Sequence, residues 1–396
     1  MFPMFNNKRQ ENIGLFNECF PPVMDGVSVC VQNYAYWMQK KVGGVCVITP
    51  HNHGVHYKEE YKILDYMSVP VPFRRPYVTG IPDIDPLFVR KLQRRRFKIV
   101  HAHSPFTSGM CALNYARTHD IPIIATFHSK YRDDFARVIP SKFAVDQIVR
   151  QIVDFYSNVD EVWVPQASVE DVIREYGYKG RVEVVDNGSD LCAERPDSYF
   201  DEARKSLGIG QDEFVMLFVG QHIWEKNVRL IIDSLEILKD KPFKMFFIGT
   251  GYAAEEMQYL VREKGLEPHV TFVGTLTDRA ALTEYYAAAD LFLFPSLYDN
   301  APLVVREAAA LRTPAVMAEG ATASTIIRDG QNGYLVPNEA QAMASRLSLL
   351  MEDRDAVRKV GLEASHTIVR SWEDVVDEVL ERYDALISRK KLLLGR

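Results

Sequence analysis

Short apolar runs that end in Gly, Pro, His or Asp alternate along this chain with longer segments of helical period. That alternation is the signature of βα units around a parallel sheet. In the first half the runs predict strands at Ile13 to Phe16, Val45 to Thr49, Lys98 to Ala102, Ile121 to Thr126 and Glu161 to Val164, with a last one near Val182 to Val185. Helices are expected between them, for example at Val27 to Lys41 and Ser108 to Thr118. The second half repeats the pattern, with strands at Phe214 to Val219, Lys244 to Ile248, Val270 to Val273, Leu291 to Phe294 and Ala315 to Met317. Its helices fall near Asn227 to Lys239, Ala253 to Lys264, Asp278 to Ala288 and Leu303 to Leu311.

Length turns this pattern into a domain count. A chain of 396 residues exceeds what one hydrophobic core usually supports, so two α/β domains are expected, each doubly wound and Rossmann-like. The polar stretch NGSDLCAERPDSYFDE, Asn187 to Glu202, suggests the boundary. The expected division is 1–193 and 194–374, with a C-terminal helix at about 375–396 packing back on the first domain. Ligands of such folds bind at the carboxyl ends of the strands, which puts the expected active site in a cleft where two such faces oppose each other.

Composition narrows the class. The chain is 47% hydrophobic and 25% charged, with no low-complexity tract, which speaks against disorder or fibrous structure. The net charge of −6 argues against nucleic acid as the main partner. The charge is uneven: residues 1–193 carry 23 Lys and Arg against 21 Asp and Glu, the remainder 24 against 32. Five cysteines without C-x-x-C spacing suggest neither a disulfide framework nor a zinc site, and a reducing cytoplasm is expected. The start MFPMFNNKRQENIG lacks the apolar core of a signal peptide, and no segment approaches the roughly 18 apolar residues of a membrane span, so any membrane contact is expected to be peripheral.

Several loops offer chemistry beside a plainer reading. Gly26, just before a helix, allows backbone amides to approach an anion, or simply makes a turn; G-x-G-x-x-G is absent. Lys226 lies near a helix start, where it can hold a diphosphate or sit in solvent. Gly249 and Gly251 let a chain pass close to a ligand. His101 and His103 share one side of a strand; hydrogen-bonded structural histidines are expected rather than a metal pair, because no third ligand has matching spacing. His128, at a strand end, is the better candidate for substrate contact, while HNHGVH, His51 to His56, reads as a solvated loop. Asp83 and Asp85 in PDIDP form a D-x-D, read as loop and helix-capping residues. The segment from Phe73 to Lys98 gathers Arg74, Arg75, Arg90, Lys91, Arg94, Arg95, Arg96 and Lys98 around Leu87, Phe88, Val89, Leu92 and Phe97. It suits either an amphipathic helix on an anionic bilayer or an ordinary surface helix, and the tail ISRKKLLLGR has a similar character.

The order of FPPVMDGVSV, HAHSPFTSG, ATFHSKYRDDF, VVDNGSD, FVGQHIWEKN, FIGTGY, VTFVGTLTDRAAL and LFPSLYDNAPLVVREAAALRTPAV resembles family 4 of the retaining glycosyltransferases over nearly the whole chain. The fold this resemblance implies is GT-B, two Rossmann-like domains facing a central cleft. Its most specific element is the E-x-x-x-x-x-x-x-E motif, present as Asp299 to Glu307. The resemblance implies that Glu307 accepts hydrogen bonds from the donor's ribose and that Asp299, beside Asn300, faces the transferred sugar. It places the diphosphate at the backbone of Leu303 and Val304, at Lys226 and at Gly26, the sugar at His128, and the nucleobase at Thr275 and Leu276, with Gly249 and Gln221 in the same donor site. His128, Lys226, Asp299 and Glu307 are thus the expected catalytic residues. Two departures stand out: Gln221 where the family usually has arginine, and Asp299, one methylene shorter than the usual glutamate.

ATFHSKYRDDF with REYGYKGRVEVVDNGSD is most similar to bacterial members that glycosylate diacylglycerol or related lipids, which favours membrane contact through Arg90, Lys91, Arg94, Arg95 and Arg96. The expected activity is metal-independent, retaining transfer of a hexosyl group from UDP-glucose or UDP-galactose to a membrane lipid, by a peripheral enzyme on the cytoplasmic face, with no cofactor and no nucleic acid partner. Rival readings are the same chemistry on a soluble sugar or peptide, a UDP-sugar epimerase of GT-B fold, and a noncatalytic nucleotide-sugar binding protein.

Overall fold

The computed structural model describes residues 2–5, 12–23, 25–52, 54–71, 78–210 and 212–395. The chain forms two compact units, Met1–Asn187 together with Trp372–Arg396, and Gly188–Ser371. The boundary suggested by the sequence, at 193 and 194, stands a few residues beyond the first crossing.

Among the described residues the first unit contains strands β1 (Ile13–Phe16), β2 (Val45–Pro50), β3 (Lys62–Tyr66), β4 (Ser68–Pro70), β5 (Val78–Gly80), β6 (Ile99–Ala102), β7 (Ile123–Thr126), β8 (Glu161–Val164) and β9 (Val182–Val184). Seven of them make one parallel sheet in the order β3-β2-β1-β6-β7-β8-β9, while β4 and β5 pair antiparallel as a separate hairpin. Every residue of β1, β2, β6 and β7 is buried. Helices on both faces of a parallel sheet exclude water from either side, which is why these strands are continuous apolar runs rather than alternating ones. The edge strand β3, KILDY, instead alternates buried and more exposed positions.

The Trp372–Leu393 helix belongs to this first unit. Its inner face carries Trp372 against Tyr34, and Tyr383 against Trp163, with the Tyr383 hydroxyl 2.6 Å from His101 Nδ1. Its outer face is fastened by ion pairs, Lys41 with Asp377 at 2.9 Å, Arg382 with Glu183 at 3.2 Å and Lys390 with Asp160 at 2.8 Å.

The second unit contains β10 (Phe214–Val219), β11 (Phe243–Ile248), β12 (Val270–Gly274), β13 (Leu291–Leu293), β14 (Ala315–Ala318) and β15 (Tyr334–Val336), all parallel, in the order β12-β11-β10-β13-β14-β15. This is the doubly wound order in which the chain starts at the centre, runs to one edge, and returns to build the other. Helices that the apolar pattern did not single out, among them Lys142–Ser157, Ala340–Glu352 and Arg354–Thr367, complete the layers.

One buried charge cluster clamps the second unit. Asp290, directly before β13, accepts from Arg354 Nε at 2.6 Å, from Arg204 Nη1 at 3.3 Å and from the Val215 amide at 2.8 Å. Arg204 and Asp290 are both buried. Removing the carboxylate strands a buried guanidinium, so Asp290→Ala is expected to destabilise this unit by about 3–5 kcal/mol, read as an earlier midpoint in urea unfolding.

Candidate active site

In the second unit the strand order reverses between β10 and β13, and two loops leave the sheet side by side at the carboxyl ends of these strands, the place where such folds bind ligands. The first loop ends in a short 3-10 turn, Trp224–Lys226, closed by Asn227 in the left-handed region at φ +59°. Asn227 Nδ2 donates to Pro295 O at 3.1 Å, which ties this loop to the one after β13. Lys226 is thereby turned toward the second loop, where its Nζ lies 2.5 Å from Asp299 Oδ1 and over the rings of Phe294 and Tyr298. The other carboxylate oxygen, Asp299 Oδ2, accepts from Ser296 Oγ at 2.6 Å. With side-chain exposures of 13% and 16%, ammonium and carboxylate form a largely desolvated pair.

The loop continues through buried Asn300 into the Leu303–Ala310 helix, which has Pro302 at its N-cap and no side-chain cap. The first amides of a helix have no intrahelical acceptor, so the backbone N–H groups of Leu303 and Val304 are donors that an anion could engage. Glu307 follows one turn on and is buried. Its Oε1 accepts from Arg279 Nη2 at 3.0 Å and its Oε2 from the Tyr286 hydroxyl at 2.9 Å. Arg279 also meets Asp190, through Nη2 at 2.5 Å and Nε at 3.1 Å. Burial, and secondarily the charge of Glu307, hold the Tyr286 hydroxyl well above the usual phenol range.

Thr275 and Leu276 follow β12, exposed and half-buried respectively, and Gln221 is exposed after β10. Gly249 has an internal reason for its identity: at φ +131°, a Cβ there would lie 2.0 Å from Gly220 O. Gly251 is confined in the same way by His222 O at 2.3 Å. The glycines let the ends of β10 and β11 approach each other. In the first unit Gly26 begins the Gly26–Lys41 helix behind the N-cap Asp25, and a Cβ there would meet nothing within 4 Å.

Three histidines converge at the carboxyl ends of β6 and β7. His101 and His103 stack at 4.1 Å, His101 Nε2 lies 2.7 Å from Thr126 Oγ1, and His103 Nδ1 lies 3.1 Å from His128 Nε2. The fold adds a neighbour that spacing along the chain did not reveal: Cys30, His103 and His128 each offer one ligand atom within 4.8 Å of the others. This is the group of described residues that could hold a thiophilic metal, although the contact between His103 and His128 already engages one nitrogen of each ring. Sequence reasoning also missed Glu18, which accepts from Thr107 Oγ1 at 2.6 Å and from the Ser108 amide at 3.0 Å, placing a carboxylate at the start of the Thr107–His119 helix. A cavity of about 470 Å³ beside the ends of β2 and β3 is lined by His51, His56, Tyr57, Glu59, Tyr61 and Asp65 among others, and within this largely exposed loop His51 Nδ1 lies 2.6 Å from Asp65 Oδ2.

The basic segment departs from the expected helix. The helix spans only Pro86–Gln93, capped by Asp85, and buries Phe88 and Leu92. Arg94, Arg95 and Arg96 therefore follow it, and Arg96 donates to Gln93 O and Arg95 O, where a cation complements the carboxyl end of a helix. Arg90, Lys91 and Arg94 are exposed beside Ile84 and Leu87, themselves 61% and 69% exposed. Arg74 and Arg75 lie outside the described residues. No helix among the described residues is long and apolar enough to cross a membrane.

Burial lowers the pKa of His101 and His103 well below the usual value, of His128 to about 3 and of His222 to about 4. Below the ordinary histidine pKa near 6.5 the unfolded chain takes up protons that the folded chain refuses, so their contribution to stability is present above that value and lost as pH falls. His222 is enclosed by Phe218, Phe247 and Phe272, with neither ring nitrogen hydrogen-bonded. His222→Leu is expected to reduce the loss of unfolding free energy between pH 7.5 and pH 5 by up to about 2 kcal/mol, measured by urea titration at both values.

A family model described as glycosyl transferases group 1 matches residues 200–366, and one described as glycosyltransferase family 4 matches residues 24–192. The chain is 25% identical to an alpha-monoglucosyldiacylglycerol synthase of Streptococcus pneumoniae, over 95% of this chain and 86% of the relative. It is also 25% identical to the synthase of that name from Acholeplasma laidlawii, over 81% and 83%. Among solved structures it superposes on the sucrose-phosphate synthase of Thermosynechococcus elongatus with a TM-score of 0.79 at 19% identity, covering 96% of this chain and 100% of that one. The Anabaena protein HepE, crystallised with UDP and glucose, gives 0.74 at 18% identity, covering 94% and 99%.

Proposed function

Because the chain belongs to the group 1 and family 4 glycosyltransferases and is a glycosyltransferase of GT-B fold, we propose that it transfers a hexosyl group from a UDP-sugar, glucose or galactose, to a membrane lipid such as diacylglycerol or a glycolipid, with retention and without metal. The observation that carries this reading is the convergence, at one strand-order reversal, of the Lys226 ammonium, the open amide end of the Leu303–Ala310 helix, and carboxylates on either side.

The donor's diphosphate fits the amides of Leu303 and Val304, with Lys226 exchanging Asp299 for a phosphate oxygen. Preorganised positive charge then stabilises the diphosphate as the bond from the anomeric carbon to its oxygen breaks. The departing phosphate oxygen takes the proton of the acceptor hydroxyl, and the new bond forms on the same face of the sugar, which is retention without a protein nucleophile. Asp299, released from Lys226, accepts from a sugar hydroxyl. Glu307 accepts from the ribose, since each of its carboxylate oxygens has a lone pair beyond those used by Arg279 and Tyr286. For Gly26 and His128, in the other unit, the family resemblance supports a role toward the donor. The names of the relatives support a diacylglycerol-type acceptor, and UDP with glucose in a structure of like fold supports the donor. Exposed Ile84 and Leu87 beside Arg90, Lys91 and Arg94 suit an anionic bilayer, each cation near the surface contributing about 1 kcal/mol.

Lys226→Ala and Glu307→Ala are each expected to lower kcat/KM for the UDP-sugar at least about tenfold, or about 1.4 kcal/mol of transition-state stabilisation. Steady-state assays with lipid acceptor test this, and near-normal turnover in both variants would contradict the donor-site reading. In co-sedimentation with vesicles containing phosphatidylglycerol, the combined change of Arg90, Lys91 and Arg94 to glutamate is expected to release most of the protein into the supernatant, whereas unchanged pelleting would remove this segment from the membrane contact.

A further inference from the structure

We infer that Arg279 is a positioning residue, which bridges Asp190 to Glu307 and fixes the Glu307 carboxylate in the orientation that receives the ribose hydroxyls. The inference rests on the reading of Glu307 as the ribose acceptor and adds to it what makes that carboxylate usable.

A carboxylate as buried as Glu307, 7% exposed, is costly unless it is paired and hydrogen-bonded. Its two partners come from one helix, Arg279–Ala288, where positions 279 and 286 lie two turns apart on the same face. Tyr286 fixes Oε2 and Arg279 fixes Oε1, so the carboxylate plane is set from both sides. Arg279 is itself held: its Nε and Nη2 grip both oxygens of Asp190 in a fork, a geometry lysine does not reproduce.

Asp190 stands at the start of the second unit, and the adjoining Ser189 amide donates to Arg370 O at 2.8 Å, next to the segment by which the chain leaves that unit. Arg306, the neighbour of Glu307, donates to Ile368 O at 2.8 Å from a buried position. The helix that carries Glu307 is thus braced at two successive residues to the first and last segments of its unit. Arg279 is the brace that ends on the carboxylate itself.

The test compares the affinity of purified full-length protein for UDP and for 2′,3′-dideoxyuridine diphosphate, which lacks both ribose hydroxyls, by isothermal titration calorimetry. Wild type is expected to prefer UDP, and Glu307→Gln to lose that preference. Arg279→Ala is expected to weaken UDP at least about tenfold, equivalent to about 1.4 kcal/mol, while leaving the dideoxy analogue unchanged. Arg279→Lys should fall between wild type and Arg279→Ala, and Asp190→Asn should shift the preference in the same direction. A merely structural role would weaken both nucleotides alike, and that result overturns the inference, as does an Arg279→Ala variant with the wild-type preference. If Glu307→Gln itself keeps the preference, the ribose reading fails and the inference falls with it. If Glu307→Gln loses the preference but Arg279→Ala does not, the inference alone fails.

Discussion

The ion pair between Lys226 and Asp299 spans the point where the strand order of the second unit reverses, and the other features of the candidate donor site are arranged around it. Two residues 73 positions apart meet at 2.5 Å because their loops leave adjacent strands, β10 and β13, at the same end of the sheet. The Asn227 side chain locks one loop to the other, and Ser296 orients the carboxylate. Such a pair, largely withdrawn from water, stands in the loop that leads into the helix whose first amides an anion would occupy. A diphosphate offers the ammonium a stronger partner than a single carboxylate, so the exchange proposed for Lys226 follows from charge alone.

Glu307 is governed by a different constraint. Where Asp299 sits in a loop and is held by residues of two different loops, Glu307 projects from a helix and is held by Arg279 and Tyr286, both on the Arg279–Ala288 helix. The Leu303–Ala310 helix therefore presents a rigid carboxylate in its second turn and open amides in its first. That combination suits a nucleoside diphosphate, whose ribose and phosphates demand an acceptor and donors a fixed distance apart.

Much of the fold was legible because central strands of a parallel sheet are apolar without interruption. The ranges read for Ile13–Phe16, Glu161–Val164 and Phe214–Val219 coincide with β1, β8 and β10. The edge strand β3, the short edge strand β15 and the β4–β5 hairpin were not read, since half-exposed or three-residue segments leave no continuous apolar run. The basic segment was read as a longer helix because charge composition does not show where a helix stops; the chain leaves the helix after Gln93, and the Arg96 side chain caps its end. Within the site, Lys226 stood out by its place near a helix start, while Asp299 and Glu307 stood out through the motif that carries the family resemblance. Arg279 and Asp190 did not: 89 residues separate them, and no local pattern links them. The one available signal was the spacing of Arg279 and Tyr286 on a single helix face. Cys30, His103 and His128 likewise come from three separate βα units, and only the sheet order brings them together.

The central claim is that the reversal between β10 and β13 seats the diphosphate, with Lys226 on the phosphates and Glu307 on the ribose. A crystal structure of the protein with bound UDP tests it most directly. The account predicts Lys226 Nζ withdrawn from Asp299 and within hydrogen-bond distance of a diphosphate oxygen, the phosphates at the Leu303 and Val304 amides, and a ribose hydroxyl against Glu307. UDP bound elsewhere, or bound there with the pair of Lys226 and Asp299 intact and Glu307 out of reach of the ribose, would contradict it.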